Sequence, residues 1–449
     1  MLFKNQEQII KNGKTLELKK VRKDILDILT SALDAVNPYE IIKSKFDGNK
    51  IKLESKIIDV TDFENIFLIG FGKASVGMAQ GVCDSIDINK GVVITNDPNK
   101  KVKNKFITTL VGSHPLPNKR SIKNTNKIID IVRKCNKNDL LIVLISGGGS
   151  ALLSKPRVNM ADFKKTMDLL LKSGANISEI NTIRKHLSFV KGGQLICYSK
   201  CTVISFIISD IIGDPLESIA SGPTYPDSTT FYDAQKIFKK YRLWDKIPFS
   251  VKKIIEDGIK GKISETIRKD NPIFNNVYNF LVANNEFACR AAEKKAKKLG
   301  YKTMLLTTLL NGEAREVGKF LVGKATNYNK TTKKIAFISG GETTVKIKGM
   351  GKGGRNLEMV LSGVKELADK DVVFASFATD GIDGNCDAAG AIADPYTYIH
   401  SQKKGLEPNK FLNENNSYEF FKKLGDLLIT KKTGTNVMDI QILIKIENI

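Results

Sequence analysis

The 449-residue chain is 41% hydrophobic and 27% charged, as globular proteins usually are, and no apolar run approaches the ~18 residues a membrane-spanning helix needs. Its net charge of +23 points toward nucleic acid, yet only ten of the 71 basic residues are Arg, so the lysine excess reads as a solvated surface that attracts small anions. The N-terminus lacks the apolar centre of a secretion signal, and six scattered cysteines, with Cys197 and Cys201 lacking a second metal-type pair, suit reduced thiols in the cytoplasm rather than a zinc site.

Single cores stop growing at roughly 250–300 residues, so two domains are expected. Val21, Ile25, Ile28, Leu29, Leu33 and Val36 recur near helical period, and "NPYEII" breaks that helix and opens another. From "NIFLIG" onward strand-like and helical runs alternate through "KASVGMAQGVCDSI", "GVVITN", "LLIVLIS", "SALL" and "CTVISFIISD". Such alternation signals a parallel sheet covered by helices. Residues 240–275 are rich in charge and poor in strands, and a second series then runs from "NFLVAN" through "KIAFISGGETTVKIK" to "DVVFASFATDGIDG". The expected division is an N-terminal domain over 1–245, a connecting segment over 246–275 and a C-terminal domain over 276–449.

The chemistry is expected in Gly-rich loops beside the apolar strands. "SGGGS", Ser146–Ser150, follows six aliphatic residues, and three consecutive glycines are costly to order unless something must approach the backbone closely. It reads as an anion cradle, with a tight turn as the alternative. "GFGKAS", Gly70–Ser75, resembles a dinucleotide fingerprint but has Ser75 where the third glycine belongs. Its Lys73 opens a helix, where a cation opposes the dipole unless an anion lies beside it. Arg355, at the start of the helix after "GMGKGG", suits a bidentate contact to phosphate or carboxylate. Two acidic loops carry Asp210, Asp214 and Glu217, and Asp380, Asp383 and Asp387; such carboxylates hold Mg²⁺ or take a proton in phosphoryl transfer, or else cap helices. His114 and His186 stand between lining a pocket and making structural hydrogen bonds. The sequence has no Walker-type loop, no protein-kinase signature and no serine-nucleophile elbow, so any nucleotide chemistry uses another phosphate-binding device.

Together, "GFGKAS", "GSHPLPN", "LISGGGSALL", "NTIRKHLSFVKGGQL", "SDIIGDPLESIASGPTYPD", "SGGETTVKIKGMGKGGRNLEM", "ATDGIDGNCDAAGAIAD" and "TGTNVMDI" resemble, in the same order, the glycerate 2-kinase family whose C-terminal part is called the MOFRL domain. The resemblance implies two α/β domains, the first Rossmann-like with a mostly parallel sheet, and an active site in the cleft between them. It implies transfer of the ATP γ-phosphate to the 2-hydroxyl of D-glycerate with Mg²⁺ or another divalent cation. It singles out Lys73 and Arg355 as catalytic, which are then expected to meet across the cleft. Asp210, at the end of its apolar strand, is the expected general base.

Ser146, Gly147, Gly148, Gly149, Ser150, Gly340, Gly341 and Glu342 are assigned to the nucleotide and its phosphates, Gly70, Gly72, His114 and Lys191 to the substrate, and Asp380 and Asp383 to the metal. The expected partners are D-glycerate and ATP, with neither nucleic acid nor membrane, and a homodimer is a candidate assembly. One departure is "GDPLESIASGP", where many relatives carry a second acid after "GD", which weakens metal ligation through that loop. Some relatives are called hydroxypyruvate reductases, the competing reading, and Ser75 counts against the nicotinamide site it would need. A basic RNA-binding protein would need a recognisable module or aromatic stacking run, and neither is present.

Overall fold

The computed structural model describes residues 2–53, 56–328 and 334–446. They form two compact units, residues 38–282, and residues 1–37 together with 283–449.

The first unit is built on six strands: β1 (Ile66–Phe71), β2 (Lys90–Thr95), β3 (Ile107–Val111), β4 (Leu140–Ile145), β5 (Thr202–Ile208) and β6 (Val277–Ala283). Their order is β3-β2-β1-β4-β5-β6, and the pairings from β3 to β5 are parallel. The unbroken apolar runs "IFLIGF" and "LLIVLI" explain why β1 and β4 are central: both are buried at every residue, as strands covered on both faces must be. Because β1 leads to β2 and β3 on one side while β4 leads to β5 on the other, the order reverses between β1 and β4. Ligands in open parallel sheets bind at the carboxyl end of such a reversal. Helices Met160–Lys172, Ile177–His186, Phe231–Lys240 and Phe249–Ile259 pack a separate apolar cluster around Phe163, Leu170, Phe231 and Phe238.

The second unit holds β7 (Lys302–Leu310), β8 (Ile335–Gly341), β9 (Val372–Ala378), β10 (Gly390–Ala393), β11 (Leu427–Leu428) and β12 (Asp439–Lys445), in the order β7-β8-β12-β9-β10-β11. Only β7 and β8 pair in parallel, so this sheet is mixed.

The division differs from the one expected. Residues 1–37 join the second unit because helix Leu16–Asp34 packs on helix Asn285–Lys298 and its buried Arg22 pairs with Asp394 at 2.8 Å and Asp426 at 2.7 Å. Segment 246–275 is not a bare connector, since its helix Phe249–Ile259 belongs to the apolar cluster and Glu265 accepts from the backbone of Phe231 at 3.0 Å. The sheet of the first unit also extends to β6. No helix among the described residues is long and apolar enough to cross a membrane.

Candidate active site

At the carboxyl end of the reversal, the loops after β1 and β4 are sewn together. Lys73 N–H donates to the Gly147 carbonyl at 2.9 Å and Ala74 N–H to Ser146 Oγ at 3.1 Å. A side chain on Gly72 would overlap Ser146, so this glycine serves loop contact. Ser75, the residue that interrupts the fingerprint, donates from its hydroxyl to the carbonyls of Gly72 at 2.8 Å and Ile94 at 3.0 Å. Gly70, assigned to the substrate from the sequence, is buried within β1 among Leu144 and Val93.

Each glycine of "SGGGS" has a neighbour that forbids a side chain. A Cβ on Gly147 would overlap the Asp210 carboxylate. Gly148 sits at φ +81°, where a Cβ would lie 3.0 Å from the His114 ring and 3.4 Å from Lys73 Cγ. A Cβ on Gly149 would lie 2.7 Å from that of Ala220. The sequence assigns these glycines to a bound anion; protein neighbours also leave no room for side chains there, and the helix they open, Gly149–Leu152, is too short for its dipole to weigh much. What survives is the identity of the neighbours: Lys73, His114 and Asp210, far apart in sequence, border the same two glycines. Burial, then the nearby Lys73, lowers the pKa of His114, which favours the neutral ring at pH 7.

The far end of the loop is held by groups the sequence did not single out. Ala220, Ser221 and Gly222 are consecutive left-handed residues at φ 50°, 64° and 60°, a strained run of the kind found at functional sites. Ser221 Oγ lies 2.9 Å from Ser150 Oγ and donates to Asn181 Oδ1 at 3.1 Å. Lys191, expected to touch substrate, is 2% exposed and donates to the carbonyls of Ser150 at 2.9 Å and Leu153 at 3.1 Å, so it braces the loop. Burial pushes its ammonium down to about 7, with Arg184 adding to the effect. His186 is structural, placed 2.8 Å from the Thr182 carbonyl and 3.1 Å from Glu265.

In the second unit, Arg355 opens helix Arg355–Gly363, and its bidentate partner is Asp439 of this same chain, at 2.5 and 3.0 Å, with Glu342 at 2.6 Å. Asp439 and Glu342 hold the guanidinium protonated against its burial. Burial pushes the Asp439 carboxyl up despite Arg355. Gly340 and Gly341 are dictated by packing, against Asn285 and the Leu310 backbone respectively. Beside Arg355 lies a cavity of about 750 Å³, whose lining includes Glu342, Ile347, Met350, Gly354 and Asn415, well within the size range of ligand sites.

Asp383, assigned to the metal from the sequence, is engaged by the protein itself. Its oxygens accept from Asn356 N–H at 3.1 Å, Asn356 Nδ2 at 3.1 Å and Leu357 N–H at 2.8 Å, anchoring the helix that begins at Arg355. Burial pushes its carboxyl up to about 6. Because the folded value exceeds the unfolded one of about 3.9, the stability this group contributes is full below pH 4 and is lost as pH rises through about 6. Asp383→Asn carries no such charge, so urea unfolding from pH 4 to 7 should show a shallower loss of stability than wild type; equal slopes would contradict the assignment. Asp380 accepts from Ile382 N–H at 3.1 Å. Among the described residues no group of three or more His, Cys, Asp or Glu is arranged to hold a metal ion.

Comparison with known proteins agrees with this architecture. Residues 24–256 match a family model described as a domain of unknown function, DUF4147, and residues 335–439 match the MOFRL family. The chain is 42% identical to a glycerate 2-kinase of Pyrococcus horikoshii, covering 94% of this chain and 97% of that protein. It is 36% identical to a D-glycerate 2-kinase of Thermotoga maritima, covering 94% and 98%. A crystal structure of glycerate kinase from Thermotoga maritima superposes with a TM-score of 0.83 at 35% identity, covering 95% of this chain and 100% of that one. Lower-ranking relatives from Agrobacterium vitis carry the name putative hydroxypyruvate reductase.

Proposed function

We propose, from the premise that this chain belongs to the glycerate 2-kinase family, that it transfers the γ-phosphoryl group of ATP to the 2-hydroxyl of D-glycerate, giving 2-phosphoglycerate and ADP. The observation that carries the reading is the convergence of Lys73, His114 and Asp210 on Gly147 and Gly148 where the strand order reverses. Phosphoryl transfer is largely positioning and charge stabilisation, and these groups supply a cation for the phosphoryl oxygens and a carboxylate for the hydroxyl proton. Asp210 takes that proton and Lys73 stabilises the charge in flight; Arg355 is the second catalytic cation that the family resemblance singles out.

The cavity beside Arg355 takes the nucleoside, with Ile347 and Met350, 79% and 105% exposed, offering an apolar rim to the base. Mg²⁺ typically keeps several waters and uses one or two carboxylates plus substrate phosphates. The residues present fit a metal delivered with ATP: Asp380 would hold it, Asp383 being committed to its helix and Asp439 to Arg355. Such a cation neutralises charge on the β- and γ-phosphates. The reaction takes place in the cytoplasm, consistent with six cysteines that are all free, and a homodimer is tested directly by light scattering.

Release of ADP dependent on D-glycerate, without oxidation of NADH in the presence of hydroxypyruvate, is the expected assay result, and the reverse pattern would favour the reductase. Gly147→Ala tests the base more finely. Its new methyl displaces the Asp210 carboxylate, and a misplacement of about 1 Å costs on the order of 10²-fold in turnover. A kcat within threefold of wild type would remove Asp210 from that position.

A further inference from the structure

Helix Ile177–His186 presents Asn181, Arg184 and Lys185 at i, i+3 and i+4, neighbouring positions on one side of a helix. Asn181 reaches the "SGGGS" loop through Ser221, which lies 2.9 Å from Ser150 Oγ. Lys185 is buried and paired with Asp227 at 2.9 Å. Arg184 differs: it is largely shielded from solvent, yet among the described residues its guanidinium makes no hydrogen bond and no ion pair.

The other shielded arginines are all engaged. Arg22, Arg315 and Arg355 hold carboxylates, while Arg157 and Arg268 hold carbonyl oxygens. Arg184's charged neighbour is a second cation, the buried Lys191, whose bonds go only to the carbonyls of Ser150 and Leu153. A shielded guanidinium is expensive without a counter-charge, and unlike lysine it cannot shed its proton. Among the described residues no acid pairs with Arg184, which leaves the counter-charge to a ligand.

We propose that Arg184, backed by Lys191, forms a carboxylate-binding subsite at the Ser150 end of the loop and holds the carboxylate of the hydroxy-acid substrate. The proposal rests on the kinase reading for the identity of that acid. A guanidinium fork fits either a carboxylate or a phosphate. The carboxylate is favoured by scale: Ser150 is three residue steps from Gly147, which borders Asp210, an extended reach of at most roughly 10 Å. A 2-hydroxy acid carries its carboxylate one carbon from the hydroxyl that Asp210 would deprotonate, so one short molecule meets both ends of the loop. Arg184 is on this account the residue that makes an acid, rather than an uncharged polyol, the acceptor.

The test uses the full-length protein, with Arg184→Ala and Arg184→Lys compared with wild type in steady-state kinetics and in calorimetric titration with D-glycerate alone. Arg184→Ala should raise KM and Kd for D-glycerate roughly 10- to 100-fold, as loss of a charged hydrogen-bond partner does, with KM for ATP within twofold and the melting temperature unchanged or higher. Arg184→Lys, which keeps charge without the fork, should fall between. An unchanged D-glycerate affinity, or a rise in KM confined to ATP, would overturn the subsite, the latter assigning the cation to a nucleotide phosphate. Wild type failing to phosphorylate D-glycerate would instead overturn the kinase reading, while the titration would still report the subsite.

Discussion

Lys73→Ala should lower kcat at least about 10²-fold, the scale on which loss of one preorganised transition-state donor is felt. The backbone at this position is pinned by the bond from Lys73 N–H to the Gly147 carbonyl, so truncation leaves the loops joined. Its ammonium precedes helix Ser75–Cys83, where a cation opposes the dipole. Thermal unfolding measured beside the kinetics separates a catalytic loss from a folding one. Lys73→Arg keeps the charge with a bulkier head beside His114 and should recover part of the rate. Near-normal turnover in Lys73→Ala would remove Lys73 from the reaction.

Asp210→Asn has the second large expected effect. It keeps the shape that fills the space against Gly147 but abolishes basicity, and general-base catalysis contributes typically 10²–10⁴-fold. The loss should appear in kcat with little change in KM for D-glycerate, since the proton is transferred in the transition state. Recovery of the Asn variant at high Mg²⁺ would instead make Asp210 a metal ligand and hand the base role elsewhere.

The parallel sheet and its central loops were legible because buried strands leave continuous apolar runs, as in "LLIVLI", and because glycines cluster where backbones meet. The attachment of residues 1–37 to the second unit was not, since it rests on pairs such as Arg22 with Asp394, which no local pattern announces. The helix-anchoring role of Asp383 was not legible, because a helix-anchoring aspartate and a metal ligand are the same residue type and the bonds to Asn356 and Leu357 appear only in three dimensions. The self-pairing of Arg355 depends on Asp439, remote in sequence and on another strand. Arg184 could have drawn attention as one of ten arginines among 71 basic residues, but that no acid among the described residues pairs with it is visible only in three dimensions. Triple glycine indicated a close approach to the backbone, and the side chains of Asp210, His114 and Ala220 that crowd the loop come from segments remote in sequence.

The central claim, that ATP phosphorylates the 2-hydroxyl of D-glycerate, is tested most directly by ³¹P–¹H correlation NMR on the product. The account predicts a phosphorus coupled to the single C2 methine proton, formed only with D-glycerate and ATP together. Coupling to the two C3 methylene protons, or no phosphoester while hydroxypyruvate oxidises NADH, would contradict it.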